Sequence, residues 1–334
     1  DSFTALKEKV ELRQELFYSV RKLDVLQELI EDETVTEIMV NGPDSVFVER
    51  AGRLTKWDKS FTSKEKLEDV IQQIVGKCNR VVNESMPIVD ARLENGSRVN
   101  AVIQPVALDG PILTIRRFPD KPVTMEKLIA LGSLTKECAD FLNALVRARY
   151  SIIIGGGTGS GKTTFLGALS EYIPADERII TIEDSAELRL QGIDNLVRLE
   201  AKMANINGAG AVTIRDLIKT ALRMRPDRII VGEVRGGEAV DMLQALNTGH
   251  EGSFCTAHAN SSRDMLSRLE MMVLMGVELP LDAIRRQITA GVDIVIHLGR
   301  LRDKSRKVLE ISEICGYRDG EIQMQPLYQW QEEK

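Results

Sequence analysis

A glycine-rich stretch in the middle of the chain, residues 156–164, has the composition of a loop that binds phosphate. It reads GGTGSGKTT and follows an apolar segment typical of a buried strand. Glycines let a backbone turn its N–H groups toward phosphate oxygens, and a helix predicted over 161–172 adds its positive N-terminus. The pattern predicts that Lys162 reaches the β- and γ-phosphates of a nucleoside triphosphate and that the Thr163 hydroxyl binds Mg²⁺. The residues expected to contact ATP are Gly156, Gly157, Thr158, Gly159, Ser160, Gly161, Lys162, Thr163 and Thr164.

Acidic side chains follow two further apolar segments, where parallel strands would end. Glu183, Asp184 and Glu187 lie at or after the segment RIITIED, and Glu233 directly follows RIIVG. The carboxyl ends of parallel strands lie at the edge where a phosphate loop opens, so we expect these carboxylates near Mg²⁺. Glu183 and Glu233 are predicted to act on the metal, partly through water, whereas a solvated loop carboxylate is the alternative for Glu187. Gly232 stands where phosphate-loop proteins usually carry an aspartate.

The chain has three histidines, His250, His258 and His297. His258 ends the apolar segment GSFCTAH, which should deliver it to the same sheet edge, where it could bond the γ-phosphate and report its presence. A structural histidine is the alternative. A metal pair is disfavoured, because no cluster of Cys or acidic ligands has metal spacing. His250 is expected either at the site or as a cap on a helix over 237–247.

Bulk composition is that of an ordinary globular protein. The 334 residues carry a net charge of −6, with 43% hydrophobic and 28% charged residues, so nothing in the overall charge favours nucleic acid. No apolar run approaches the roughly 20 residues of a membrane span, and we expect no membrane insertion. The cysteines are scattered singly, which fits a reducing cytoplasm; they are Cys78, Cys138, Cys255 and Cys315.

The chain length favours two domains that together position these groups. A helix is predicted over 3–30 within an N-terminal segment, 1–34, followed by an α+β domain over 35–118 with short strands and a helix over 63–78. The segment PDKPVT, at 119–124, has two prolines and is predicted to be a linker.

From residue 125 to 334 apolar strands alternate with helices, which predicts a parallel sheet covered by helices. A last pair of strands, DIVIHLGRL and RKVLEISEICGY, is expected to form an antiparallel hairpin. The one dense basic run, RLRDKSRK at 300–307, falls in the turn of that hairpin and is predicted to be solvated.

Four motifs follow one another along the chain: GGTGSGKTT, ITIEDSAEL, IIVGEVRGGE and TGHEGSFCTAHANS. Together they resemble the Walker A motif, Asp box, Walker B motif and His box of the secretion ATPase superfamily, which drives type II and type IV secretion and type IV pili. The longer segment ALRMRPDRIIVGEVRGGEAVDMLQALNTGHEGSFCTAHANS is similar to the CpaF (TadA-type) branch, the motor of tight-adherence pili. The resemblance extends over about residues 35–315.

This resemblance implies a RecA-like α/β P-loop ATPase domain, a smaller PAS-like N-terminal α+β domain and assembly as a homo-hexamer. It also implies that N-terminal-domain arginines contact the nucleotide and stabilise charge on the transferring phosphoryl group. Arg98 and Arg116 match those positions best, with Arg92 and Arg117 as near alternatives. For each of them, an arginine on the surface of a strand is the competing interpretation.

The same resemblance assigns roles within the ATPase domain. Glu187 resembles the catalytic glutamate that positions water, and Glu233 the Walker B glutamate. Arg223 and Arg235 are expected to line the nucleotide site.

The activity implied is MgATP hydrolysis coupled to domain motion on an inner-membrane pilus or secretion platform protein. The chain would then be cytoplasmic and peripheral to the inner face of the cytoplasmic membrane through that partner. A RecA-like motor on nucleic acid and a nucleotide-gated scaffold with little hydrolysis are the alternatives. A motor on nucleic acid needs a basic channel with aromatic side chains, and the single short basic run at 300–307 does not supply one. We therefore expect no direct nucleic-acid partner.

Overall fold

The computed structural model divides the chain into two compact units, with the division between Asp120 and Lys121. The helix predicted over 3–30 lies mostly outside the described residues, which hold only its last part as helix α1, Leu26–Glu31. The residues described are 23–50, 52–78, 80–93, 95–117, 122–202, 204 and 210–331.

The first unit is built on an antiparallel sheet whose described strands run in the order β3-β2-β1-β6-β5-β4. Both described helices of this unit contribute to its core: Leu26 and Leu29 of α1 are buried there, and so is the apolar stripe of α2. Helix α2 begins after Ser63, whose side chain accepts the Lys66 N–H at 3.2 Å. The elements are β1 (Val35–Asn41), β2 (Val46–Arg50), β3 (Arg53–Lys56), α2 (Lys64–Lys77), β4 (Ile88–Arg92), β5 (Arg98–Val102) and β6 (Ile112–Arg116).

The second unit is built on a sheet whose described strands run in the order β14-β13-β12-β7-β11-β10-β8-β9. Strands β12 through β9 in that order are parallel, and β13 and β14 extend the sheet antiparallel. The strands are β7 (Ile152–Gly156), β8 (Ile179–Glu183), β9 (Leu196–Glu200), β10 (Arg228–Val231), β11 (Phe254–Ala257), β12 (Ile294–Arg300), β13 (Arg306–Arg318) and β14 (Glu321–Gln329). The helices are α3 (Met125–Ala130), α4 (Lys136–Arg147), α5 (Lys162–Ser170), α6 (Ile214–Ala221), α7 (Ala239–Asn247), α8 (Ser262–Gly276) and α9 (Leu281–Gly291).

Apolar side chains cover both faces of the parallel strands. Along β7, Ile153 belongs to one core cluster, whereas Ile152 and Ile154 belong to another. Successive side chains of a strand point to opposite faces, so a continuous apolar run is what a strand buried on both faces requires. The predicted parallel sheet is therefore confirmed. The predicted antiparallel pairing of β12 and β13 is confirmed as well.

Three elements were not expected from the alternating pattern. Helices α3 and α4 precede the first parallel strand and bury residues such as Leu142 in the cluster that holds Ile152. Strand β14 pairs with β13, so the antiparallel extension has three strands rather than two. Within the part of the chain that the structure describes, no helix is long and apolar enough to cross a bilayer.

Candidate functional site

The glycine-rich loop joins the end of β7 to the start of α5, and its backbone conformation depends on glycine. Gly159 and Gly161 have φ values of 73° and 91°, in the left-handed region that side chains disfavour. A Cβ atom on Gly156 would lie 2.4 Å from Ser160 Oγ and 2.7 Å from the Leu298 carbonyl oxygen. The loop therefore wraps closely over the sheet edge and leads straight into the N-terminus of α5, the arrangement that binds phosphate.

Lys162, the first residue of α5, turns its side chain back into this loop. Its Nζ donates to the carbonyl oxygens of Gly156 at 3.0 Å and Gly157 at 3.1 Å, and the residue is 9% exposed. Burial lowers the pKa of Lys162, whereas the nearby Glu233 carboxylate raises it. Ser160 Oγ is buried without a hydrogen-bond partner among the described residues. A buried ammonium and an unpaired hydroxyl in a loop of backbone amides fit a bound polyphosphate.

The remaining predicted phosphate contacts lie on either side of Lys162. Thr158 is in the exposed part of the loop, and Thr163 and Thr164 lie in the first turn of α5, half-buried and exposed respectively. The Thr163 position places a hydroxyl one residue after the lysine, at the helix N-terminus, which suits a hard cation held between protein and phosphate oxygens.

Glu183 ends β8 with its side chain buried at 3% exposure. Its Oε1 accepts the backbone N–H groups of Glu187 and Leu188, both at 2.9 Å, and its Oε2 has no hydrogen-bond partner among the described residues. Burial raises the pKa of the Glu183 carboxyl, and the two backbone hydrogen bonds oppose that shift. Glu183 thus shapes the loop that carries Glu187 and keeps one oxygen available for a cation.

Gly232 follows β10 beside Glu183 on the neighbouring strand. A Cβ atom at Gly232 would lie 2.8 Å from Glu183 Cγ, closer than real Cβ contacts come. The buried glutamate therefore occupies the space that a side chain at position 232 would need. This contact explains the glycine where an aspartate was expected.

Substituting Gly232 with alanine is expected to destabilise the protein by about 1–3 kcal/mol, because the added methyl must displace a buried side chain. Urea unfolding followed by circular dichroism measures the change. The control is Gly167→Ala, in helix α5, where a Cβ atom would meet nothing within 4 Å. Alanine favours a helix interior over glycine by roughly 0.5–1 kcal/mol, so this control should be neutral or stabilising. Equal stability of the two variants would contradict the crowding at Gly232.

Glu233 is the meeting point of the charged side chains at this edge. Its Oε1 lies 3.0 Å from His258 Nε2 and 4.0 Å from Lys162 Nζ, and Arg235 forms an ion pair with Oε2. Arg235 also lies 3.5 Å from Asp184, and so links the loop after β10 to the loop after β8. The structure thus brings together groups from the ends of β7, β8, β10 and β11.

His258 directly follows β11, and its ring is oriented by Glu233. Burial lowers the pKa of His258, as does the neighbouring Lys162 ammonium, against the opposing effect of Glu233. The imidazole is therefore neutral near pH 7 and donates its Nε2–H to the carboxylate. This leaves Nδ1 as an acceptor.

The other two histidines lie elsewhere. His250 places Nδ1 3.2 Å from the Ala245 carbonyl oxygen in the last turn of α7, which is the helix-cap alternative. His297 lies on β12, where burial lowers its pKa. Within the described ranges, no group of three or more His, Cys, Asp or Glu side chains is arranged to hold a metal ion.

The candidate arginines of the first unit separate into two groups. Arg98 on β5 lies opposite Arg116 on β6 and opposite Arg92 on β4, so the three form one row across the sheet. Arg117 instead donates a hydrogen bond to the Asp32 carbonyl oxygen.

In the second unit, Arg223 is exposed just beyond α6 and forms no ion pair with Glu233 within the described residues. The basic run at 300–307, predicted to be a solvated turn, contains a contact that the sequence did not indicate. Arg306 Nε donates to the Gly159 carbonyl oxygen at 2.9 Å. Arg306 is nevertheless exposed, in keeping with the predicted solvated turn, and the hydrogen bond adds a contact with the glycine-rich loop.

Comparison with known proteins places this geometry in a family. The model of the family described as type II/IV secretion system protein matches residues 20–329. A Mycobacterium tuberculosis protein named for conjugal transfer is 36% identical over 312 residues, which are 92% of this chain and 87% of that protein. The type IV secretion system protein VirB11 of Brucella suis is 35% identical over 306 residues, which are 83% of this chain and 84% of that protein.

The solved structure of the ATPase DotB of Legionella pneumophila has a TM-score of 0.61 at 23% identity, covering 85% of this chain and 78% of that one. This likeness confirms the expected fold of an N-terminal domain followed by a RecA-like ATPase domain. The family match extends over nearly the whole chain and includes every motif at the sheet edge. The chain belongs to the type II/IV secretion system ATPase family.

Proposed function

We propose that this secretion-system ATPase hydrolyses MgATP at the edge formed by β7, β8, β10 and β11. The observation that carries the proposal is the convergence on Glu233, with His258 at 3.0 Å and Lys162 at 4.0 Å. These residues come from three separate motifs of the chain. A phosphate loop next to a buried lysine, a carboxylate and a neutral histidine supplies both phosphate binding and oriented polar groups for the attack of water.

The residues of the second unit divide into binding and orienting roles. The backbone amides of the loop, the Ser160 hydroxyl and the Lys162 ammonium hold the polyphosphate. Mg²⁺, when bound, would neutralise phosphate charge, and Thr163, Glu183 and Glu233 supply the oxygens suited to it.

Two further residues act on water and on the γ-phosphate. Glu187 positions the attacking water on a loop that Glu183 holds through two backbone hydrogen bonds. His258, kept neutral and oriented by Glu233, bonds the γ-phosphate.

The arginine row of the first unit supplies the remaining charge. Arg98 and Arg116 lie opposite each other on β5 and β6. The resemblance to secretion ATPases matches these two positions to arginines that contact the nucleotide. We assign Arg98 and Arg116 to the stabilisation of charge on the transferring phosphoryl group, with Arg92 in the same row.

The machine that we propose for this motor is a tight-adherence pilus or a related secretion apparatus. The segment from the end of α6 through the His box, which is similar to the CpaF type, supports this assignment. The chain would work as a homo-hexamer at the cytoplasmic face of the inner membrane, held there by a platform protein.

The test is the rate of MgATP hydrolysis per subunit as a function of protein concentration, with and without single-stranded DNA. A specific activity that rises with concentration and ignores DNA is expected, because assembly then completes each site. A rate that is independent of concentration and stimulated by DNA would overturn the ring motor in favour of a motor on nucleic acid. A rate no higher than that of Glu233→Gln at every concentration would favour a scaffold that scarcely hydrolyses ATP.

A further inference from the structure

The turn between β12 and β13 is fixed against its surroundings. Lys307 Nζ donates to the Gly132 carbonyl oxygen at 2.5 Å and the Val308 N–H to that of Ser133 at 2.9 Å, both in the connection between α3 and α4. The turn itself is closed by the Leu301 N–H, which donates to the Ser305 carbonyl oxygen at 2.8 Å. These hydrogen bonds hold the base of the hairpin, and the side chains on it, in a defined position.

Two arginines close the hairpin, and both face the phosphate loop. Arg300 and Arg306 are the last pair in register, so their side chains project from the same face of the sheet. Arg306 Nε donates to the Gly159 carbonyl oxygen at 2.9 Å, and its Cδ lies 3.2 Å from where a Cβ on Gly161 would be. Arg300 Nη1 lies 3.7 Å from where a Cβ on Gly159 would be. Both guanidinium groups therefore border one short stretch of the loop.

In the described part of the chain, the charge of this pair has no carboxylate partner. No carboxylate forms an ion pair with Arg300 or Arg306 among the residues that the structure describes, and both side chains are exposed. Like charges directly opposite each other on neighbouring strands destabilise a sheet. An anion beside the loop would remove that penalty, and the planar, multiply donating guanidinium is suited to phosphate oxygens.

We propose that Arg300 and Arg306 complete the nucleotide site from the β12–β13 hairpin, where they contact the polyphosphate of the bound nucleoside triphosphate. Arg306 holds the loop at Gly159 through Nε and turns its remaining N–H groups to the phosphates. Arg300 contributes charge and donors without holding the loop. This inference rests on the proposed ATP site and adds a further source of positive charge to Lys162, the helix N-terminus and the arginines of the first unit.

The experiment measures binding of a non-hydrolysable ATP analogue to the full chain by titration calorimetry. Arg300→Ala and Arg306→Ala are each expected to raise Kd about tenfold or more, because each removes a charge-assisted hydrogen bond to phosphate. Arg300→Lys should recover most of the loss. The control is Arg302→Ala, from the exposed tip of the same turn, with Kd nearly unchanged. The difference between wild type and Arg300→Ala should shrink as salt is raised, which a merely structural effect would not do.

The outcomes separate this inference from the ATP site itself. If wild type binds the analogue and Lys162→Ala does not, but Arg300→Ala binds as Arg302→Ala does, the arginine pair is refuted and the ATP site stands. If wild type does not bind the analogue, both proposals fall. Melting temperatures within the range of Arg302→Ala show that the variants are folded.

Discussion

The Lys162→Ala variant is expected to hydrolyse ATP more slowly by roughly a thousandfold, the upper range for losing one preorganised charge contact. Lys162 Nζ lies among the loop carbonyls of Gly156 and Gly157 and 4.0 Å from Glu233. Alanine removes the charge that meets the β- and γ-phosphates, and no other lysine of the loop can replace it. The measurement is steady-state phosphate release at saturating MgATP, together with binding of the analogue.

The matched control for that variant is Lys136→Ala. Lys136 is an exposed lysine on α4 that pairs with Asp140 on the next turn. It should retain the wild-type rate, because an exposed pair of this kind contributes little. The melting temperatures of Lys162→Ala and Lys136→Ala check that both variants are folded. Turnover by Lys162→Ala at the rate of Lys136→Ala would contradict the assignment of the loop as the ATP site.

The Glu233→Gln variant is expected to bind nucleotide nearly as well as wild type but to turn it over about a hundredfold more slowly. Glutamine keeps the size of the side chain and one acceptor oxygen, whereas the negative charge shared by Lys162, His258 and Arg235 is lost. The rate should fall because Lys162 and Arg235 then lose their common carboxylate, His258 loses the charged group that orients it, and the oxygen suited to Mg²⁺ becomes a weaker ligand. The measurement is kcat and KM for MgATP.

Glu238→Gln is the control for the same chemical change nearby. Glu238 Oε1 accepts the backbone N–H groups of Arg235 at 2.7 Å and Gly236 at 3.0 Å, and glutamine can keep both bonds through its carbonyl oxygen. Its kcat should match wild type. A loss in Glu233→Gln that appears only in KM would place Glu233 in substrate binding rather than in the reaction.

Local sequence patterns were sufficient to predict the strand, glycine-rich loop and helix around Lys162 and the other parallel strands of this unit. The order of glycines around Lys162 requires a particular backbone conformation, and an apolar segment before it identifies the strand. Both are short-range properties, so a single sequence contains them. The sequence also leaves two roles open for His250, and the hydrogen bond to the Ala245 carbonyl oxygen selects the helix cap.

Other features depend on residues far apart along the chain. Nothing near Gly232 indicates that Glu183 fills its side-chain space, because that contact requires β8 and β10 to be neighbours. The charges of the basic run at 300–307 predict a solvated turn, but charge alone does not show which part of the chain lies beside it. Only the pairing of β12 with β7 brings Arg306 to the loop at Gly159.

The sequence by itself determined the phosphate loop, the alternation of strands and helices and the set of candidate side chains, since these follow from backbone conformation and local periodicity. The tertiary structure decided which of those side chains meet. Glu233 reaches Lys162 and His258 because β11 lies between β7 and β10 in the sheet. That strand order is selected by burial of apolar surface over the whole unit, which is non-directional and leaves no short-range pattern in the sequence.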